Sequence, residues 1–155
     1  EVNGWAKFVS MQNHYNLVYR EEEREMIPLC KDQGIGLIPW SPMARGFFAG
    51  NRKRGGGGET SRAQSDPFAN ELYFREDDFV IADRAAEVAN ARNVTASQIA
   101  LAWVLNKSYI AAPIIGSSKI EHLDQAIAAA EIKLTEDEVK LLETSYQPHP
   151  VLGHS

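Results

Sequence analysis

Thiols are almost missing from this sequence: Cys30 is the single cysteine among 155 residues. That excludes an internal disulfide and fits a reducing compartment. Cys30 falls within an amphipathic helical pattern, so its predicted role is packing. Positive charge is in deficit too. With 16 Lys and Arg against 21 Asp and Glu, the formal net charge is -5 and the pI is near 5.4. Such a balance argues against a nucleic-acid or other polyanion surface. Long apolar runs are also absent, none approaching the ~20 residues that cross a bilayer. The opening Glu1-Val2-Asn3-Gly4 has no signal-peptide pattern. The expectation is a soluble, cytoplasmic protein whose partners include neither nucleic acid nor membrane.

Familiar catalytic sets are missing as well. There is no Cys/His spacing for a metal, no nucleophile elbow and no Gly-x-Gly-x-x-Gly fingerprint. His14, His122, His149 and His154 are scattered, and no carboxylate pair stands out from solvated helix faces. The sequence predicts no metal site and no catalytic group of its own.

What is present centres on residues 34–50. An apolar run, 35–38, lies between Gly34 and Pro39 and reads as a strand buried on both faces. Trp40-Ser41-Pro42 follows at once. Flanking prolines restrict the backbone there to extended or turn geometry. A large flat ring and a hydroxyl are thus held at the carboxyl end of a buried parallel strand, where α/β sheets bind ligands.

On either side the pattern alternates strand and helix. Residues 8–11 read as a short strand ending in the polar cluster 12–16. Residues 20–32 read as a helix, with Pro28 an objection unless it falls in the first turn. A start near Arg24 meets that objection, and Gly34 ends the helix. Residues 51–77 form a long irregular, lid-like segment holding Arg52-Lys53-Arg54, the Gly55–Gly58 run and Arg62. Cations on both flanks of a hinge can close over a phosphate. Asp77 or Asp78 caps a helix reaching Ala91. Thr95-Ala-Ser-Gln98 and Thr135-Glu-Asp-Glu138 are capping boxes that open two more helices, the first ending at Leu105 and the second fading at Tyr146. Asn93-Val94-Thr95 matches a glycosylation sequon, but a helix cap explains the threonine better. Residues 109–115 read as a third strand, and Gly116-Ser117-Ser118-Lys119 leads into a helix over 120–130. That turn places small residues, hydroxyls and an ammonium at a helix N-terminus, where free N–H groups favour an anion. With Trp40-Ser41-Pro42 it forms two strand ends able to grip two ends of one nucleotide.

These residues resemble the aldo-keto reductases, NADP(H)-dependent (β/α)8 barrels. The resemblance is carried by Gln12, by the Tyr19-to-Glu25 run, and by the stretch from Gly34 through Trp-Ser-Pro to Gly46. Gln98-Ile-Ala-Leu-Ala-Trp103, Pro113-Ile-Ile-Gly116 and the tail 146–154 extend it. Members related to fungal and bacterial aryl-alcohol dehydrogenases look most similar. The match begins near the sixth barrel strand. The family's catalytic Asp, Tyr, Lys and His all belong to the first half and have no counterpart here.

The resemblance implies a cofactor site. Gln12 would hold the nicotinamide carboxamide, and the Trp40 ring would stack on the nicotinamide. Ser41, Pro42, Met43 and Arg45 would lie along the pyrophosphate, with Arg62 closing from the long loop. Gly116, Ser118 and Lys119 would surround the 2′-phosphate, and His122 and Gln125 would approach the adenine. Two positions depart from the family pattern: His122, where Gln or Arg is common, and Ala126, where many members have Asn.

The implied fold is the carboxyl-terminal half of a (β/α)8 barrel, with three parallel strands and flanking helices. A complete barrel takes about 250 residues. Three parallel strands cannot close, so an edge and an inner face are left to water. The missing half is then supplied by another polypeptide, replaced by a second copy, or lost from a longer protein; the last, or a natural truncation, is preferred. The parent would reduce a small aldehyde or ketone with NADPH. The alternatives are a non-catalytic nucleotide-binding module and an inert fragment.

Overall fold

A computed structural model describes residues 3–50, 54 and 72–151. The Gly55–Gly58 run, Arg62 and most of the expected lid-like segment lie outside the described residues. The fold is α/β. Strand β1 (Ser10–Met11) pairs in parallel with β2 (Gly36–Leu37), Ser10 opposite Gly36 and Met11 opposite Leu37. Backbone bonds extend this ladder at both ends, from Gly36 N–H to the Val9 carbonyl and from Trp40 N–H to the Asn13 carbonyl, each 2.9 Å.

Helix α1 (Met26–Gln33) connects the two strands, preceded by a 3-10 turn at Glu21–Glu23. Pro28 sits at its third position, where the missing N–H belongs to the unpaired first turn and costs no internal bond. Gly34 closes α1 at φ 67, a left-handed conformation that glycine adopts without a Cβ penalty. Beyond the described gap come α2 (Glu76–Arg92), α3 (Ala96–Leu105), α4 (Ile120–Ala129) and α5 (Glu136–Glu143).

The capping boxes at Thr95 and Thr135 are both formed, each Thr hydroxyl accepting from the N–H three residues on. Asn93 ends α2 at φ 56, a conformation asparagine tolerates, so cap geometry explains this residue too. The N-cap of α2 is Arg75, not Asp77 or Asp78. Asp78 instead reaches back from the third position to the Arg75 N–H at 2.9 Å.

Two strand expectations need correction. The segment 35–38 is not buried on both faces: Leu37 is fully buried, whereas Ile35, Gly36 and Ile38 are only half-buried. Leu37 and Ile35 face the core, whereas Gly36 and Ile38 on the other face are only partly covered. The expected third strand is reduced to a single parallel bridge, Leu37 to Ile110. Ala111 and Ala112 N–H share the Leu37 carbonyl, and Pro113 has no N–H to give, so the ladder breaks before Ile114 rejoins it at the Pro39 carbonyl. The segment still runs beside β2 in the same direction.

The core lies between the sheet and α1, α2, α3 and α5, built on Leu17, Leu37, Ile81, Ile99, Trp103 and Leu142. Leu72 and Tyr73, at the end of the expected irregular segment, belong to it, at 4% and 3% exposed. No described helix is long and apolar enough to cross a membrane.

Candidate functional site

Three extended segments leave the sheet at the same end. Trp40 N–H bonds the Asn13 carbonyl on one side of β2, and on the other the Pro39 carbonyl accepts from Ile114 N–H at 2.8 Å. The residues that follow therefore emerge side by side: Gln12 after β1, Trp40 to Met43 after β2, Ile115 to Lys119 after the third segment. Met43 and Ile115 pack against one small cluster of Leu101, Ala126 and Ala129, which ties the last two loops together.

At the centre is a stack of three rings. His14 lies between Tyr19, at 4.2 Å, and Trp40, at 4.1 Å, with both neighbours tilted only 13° from it. One face of the half-buried indole is thereby covered. The loop beyond Trp40 is strained, since Ser41 has φ 53 although it precedes a proline, and Ala44 and Arg45 are also left-handed.

A buried polar network holds that strain. The Asn16 carboxamide oxygen accepts from Val18 and Tyr19 N–H, both at 3.0 Å. Its nitrogen donates to the Ser41 carbonyl at 3.0 Å and to the Tyr73 hydroxyl at 3.1 Å. The Tyr73 hydroxyl lies 2.7 Å from His14 Nε2. Burial, then the charges of His149 and Arg45, bring the His14 pKa down to about 3, so the ring is neutral. Burial pushes the Tyr73 hydroxyl up, which keeps it protonated. A neutral His14 then accepts at Nε2 from Tyr73.

His149 approaches the same network from the chain's end. It pairs with Asp78 at 3.0 Å, both groups buried, and meets the Tyr19 ring edge-on at 6.0 Å. Its N–H and the Tyr146 hydroxyl both donate to Glu21, at 2.7 and 2.6 Å. The four histidines read as scattered thus include two, His14 and His149, that the fold brings within electrostatic reach.

The second element is the turn before α4. Ser117 Oγ accepts from Lys119 N–H at 3.2 Å and donates to the Lys119 carbonyl at 2.6 Å. No side chain caps α4, so its first N–H groups are left without that acceptor. Ser118 and Lys119 are exposed, and a Cβ placed on Gly116 would meet nothing within 4 Å. Among the described residues Lys119 has no carboxylate partner. His122 is exposed and Gln125 half-buried on α4, while Ala126 is buried against Leu101.

Of the expected site residues, Gln12, Trp40, Ser41, Pro42, Met43, Gly116, Ser118 and Lys119 come to one end of the sheet. Arg45 lies near His14 and Tyr73, His122 and Gln125 sit on α4, and Arg62 is outside the described residues. Arg54, one of the cations flanking the glycine run, bonds Glu76 and Asp83 at 2.9 and 2.8 Å. Two carboxylates already satisfy it. His14, Asn16 and Tyr73 were not expected in the site; a parallel bridge between His14 and Trp40, beyond the ends of β1 and β2, sets those two residues side by side. Among the described residues no group of His, Cys, Asp and Glu could hold a metal.

Comparison with known proteins then decides the lineage. The family model described as "Aldo/keto reductase family" matches residues 1–147. The chain belongs to the aldo-keto reductase family. It is 47% identical over 153 residues to a putative aryl-alcohol dehydrogenase of Schizosaccharomyces pombe, covering 99% of this chain and 42% of that protein. A versiconal hemiacetal acetate reductase of Aspergillus parasiticus is 42% identical, with 96% of this chain and 43% of the relative covered. Among solved structures, a thermostable aldo-keto reductase in complex with the inhibitor epalrestat superposes with a TM-score of 0.64 at 26% identity. That match covers 90% of this chain and 40% of the other. The chain therefore spans less than half the length of these aldo-keto reductase relatives.

Proposed function

We propose that this chain is the NADP(H)-binding portion of an aldo-keto reductase that reduces small aldehydes or ketones to alcohols. The observation that carries this reading is the shared sheet end. It presents an aromatic plate, Trp40, and a helix N-terminus without a side-chain cap, where the Lys119 ammonium has no carboxylate partner among the described residues. A flat apolar ring suits a nicotinamide, and an amide-rich cationic turn suits a phosphate, so the residues present fit a phosphorylated dinucleotide. When bound, NADPH supplies the hydride that a carbonyl carbon accepts.

The chain's own residues bind and orient. Gln12 holds the carboxamide by its side-chain amide, and Trp40 fixes which nicotinamide face is presented. Ser41, Pro42, Met43 and Arg45 follow the pyrophosphate. Gly116, Ser118 and Lys119 take the 2′-phosphate, while His122 and Gln125 flank the adenine. Lys119 selects NADP over NAD because only the former carries that extra dianion.

Large apolar side chains left in water favour a missing partner. Trp5, Phe8 and Val9, beside β1, are 79%, 84% and 81% exposed, and Ile120 and Ile127 on α4 are 80% and 62% exposed. An exposed sheet edge and an apolar helix stripe are liabilities unless covered. An amino-terminal half-barrel bearing the catalytic Tyr is the proposed cover. Without that acid, help worth about 10²–10⁴ in rate is lost.

The test uses protein shown by intact mass to contain only these residues. Calorimetric titration is expected to show NADPH binding, and NADPH oxidation with a reactive aromatic aldehyde is expected to stay at background. Clear turnover abolished by Tyr15→Phe or Tyr19→Phe would contradict the reading, since the chain would then carry its own acid.

A further inference from the structure

Resting on the reading of Trp40 as the nicotinamide plate, we propose that His14 is a positioning residue that sets the orientation of the Trp40 ring. It does so as the middle member of the stack, with Tyr73 pinning its edge.

Stacking alone leaves a ring free to slide in its own plane. Parallel aromatic faces give a shallow energy surface, and offset arrangements of similar energy are close together. Direction comes from an edge contact. His14 has one: Nε2 is 2.7 Å from the Tyr73 hydroxyl, with the Asn16 amide nitrogen at 3.3 Å. Tyr73 is itself 3% exposed and held by Asn16, and Asn16 is fully buried and anchored to two backbone N–H groups. The imidazole is therefore fixed in its plane by a group that cannot move independently of the core.

That fixed ring lies flat against the indole at 4.1 Å. The Trp40 main chain is held separately, by its N–H to Asn13 and by the Ser41 carbonyl on Asn16. What the backbone leaves open is rotation of the indole about its side-chain bonds. Tyr19 supports His14 from behind at 4.2 Å, so the indole meets a backed plate rather than a loose ring. In the proposed reading the nicotinamide takes the face of Trp40 opposite His14. A nicotinamide laid there would inherit its tilt from His14, which touches no ligand itself.

The chain labelled with 5-fluorotryptophan gives one fluorine signal each for Trp5, Trp40 and Trp103, and Trp40→Phe assigns the relevant one. Tyr73→Phe and His14→Leu are expected to shift or broaden the Trp40 signal and to spare the other two. His14→Phe, which keeps a flat ring, is expected to restore part of the wild-type shift. NADPH affinity by calorimetry is expected to fall about 3- to 10-fold in Tyr73→Phe, the loss of one net hydrogen bond. In a Trp40→Ala background the same change is expected to cost nothing further.

An unmoved Trp40 signal in Tyr73→Phe overturns the proposal, and that variant carries the test should His14→Leu not fold. An equal affinity loss with and without Trp40 also overturns it, since His14 would then act on the fold at large. A signal that moves while Trp40→Ala leaves NADPH affinity intact upholds the positioning of the ring and removes the cofactor assignment instead.

Discussion

His14 carries a burden that pH reveals. Its ordinary pKa of about 6.5 falls to about 3 in the folded chain, first through burial, then through His149 and Arg45. Below about 6.5 the unfolded chain takes up a proton that the folded chain refuses. The stability due to neutral His14 is therefore complete above about 6.5 and is lost as pH falls towards about 3. Thermal unfolding followed between pH 7 and 4 is expected to show a fall in Tm that His14→Gln largely removes. An equally steep fall in the variant would place that dependence on groups other than His14. None of this was legible in the sequence. His14 sat in a polar cluster after a short strand, and Tyr73 closed what read as an irregular segment. Their contact is made by the fold. Trp40, by contrast, was legible, because a glycine, an apolar run and two prolines fix its place without help from distant residues.

Helices were read well where their ends carry chemistry. Thr95 and Thr135 announce their helices by a reciprocal pattern that needs only four residues. Pro28 constrained the start of α1 for a similarly local reason. Thr135→Ala is expected to lower the unfolding free energy by about 1 kcal/mol in urea titration, and Thr135→Ser to restore most of it. Full retention by the alanine variant would mean that Glu138, held by Arg92 at 2.6 Å, anchors α5 without its cap. Strands were read less well. Residues 109–115 look as apolar as β2, yet Pro113 withholds the donor that a continuous ladder needs. Residues 35–38 look buried on both sides because composition cannot tell a covered face from an open one.

At the largest scale, the described residues form an α/β unit whose small parallel sheet does not close. Its helices and tail are well fastened: His149 and Tyr146 bind back to the turn after β1, and Arg20, Trp103, Lys107 and Glu143 form a linked group. Among the described residues, its exposed apolar surfaces are the β1 side and the outer stripe of α4. The resemblance implied part of a (β/α)8 barrel, and family membership agrees with an α/β fold of that family.

The central claim is that the shared sheet end binds NADP(H), with Lys119 reading the 2′-phosphate. The most direct measurement is calorimetric titration of wild type and Lys119→Ala with NADPH and with NADH. Loss of one charge-assisted contact is expected to weaken NADPH by about tenfold and to leave NADH nearly unchanged. Equal losses for both cofactors, or NADPH affinity untouched by the substitution, would contradict the assignment.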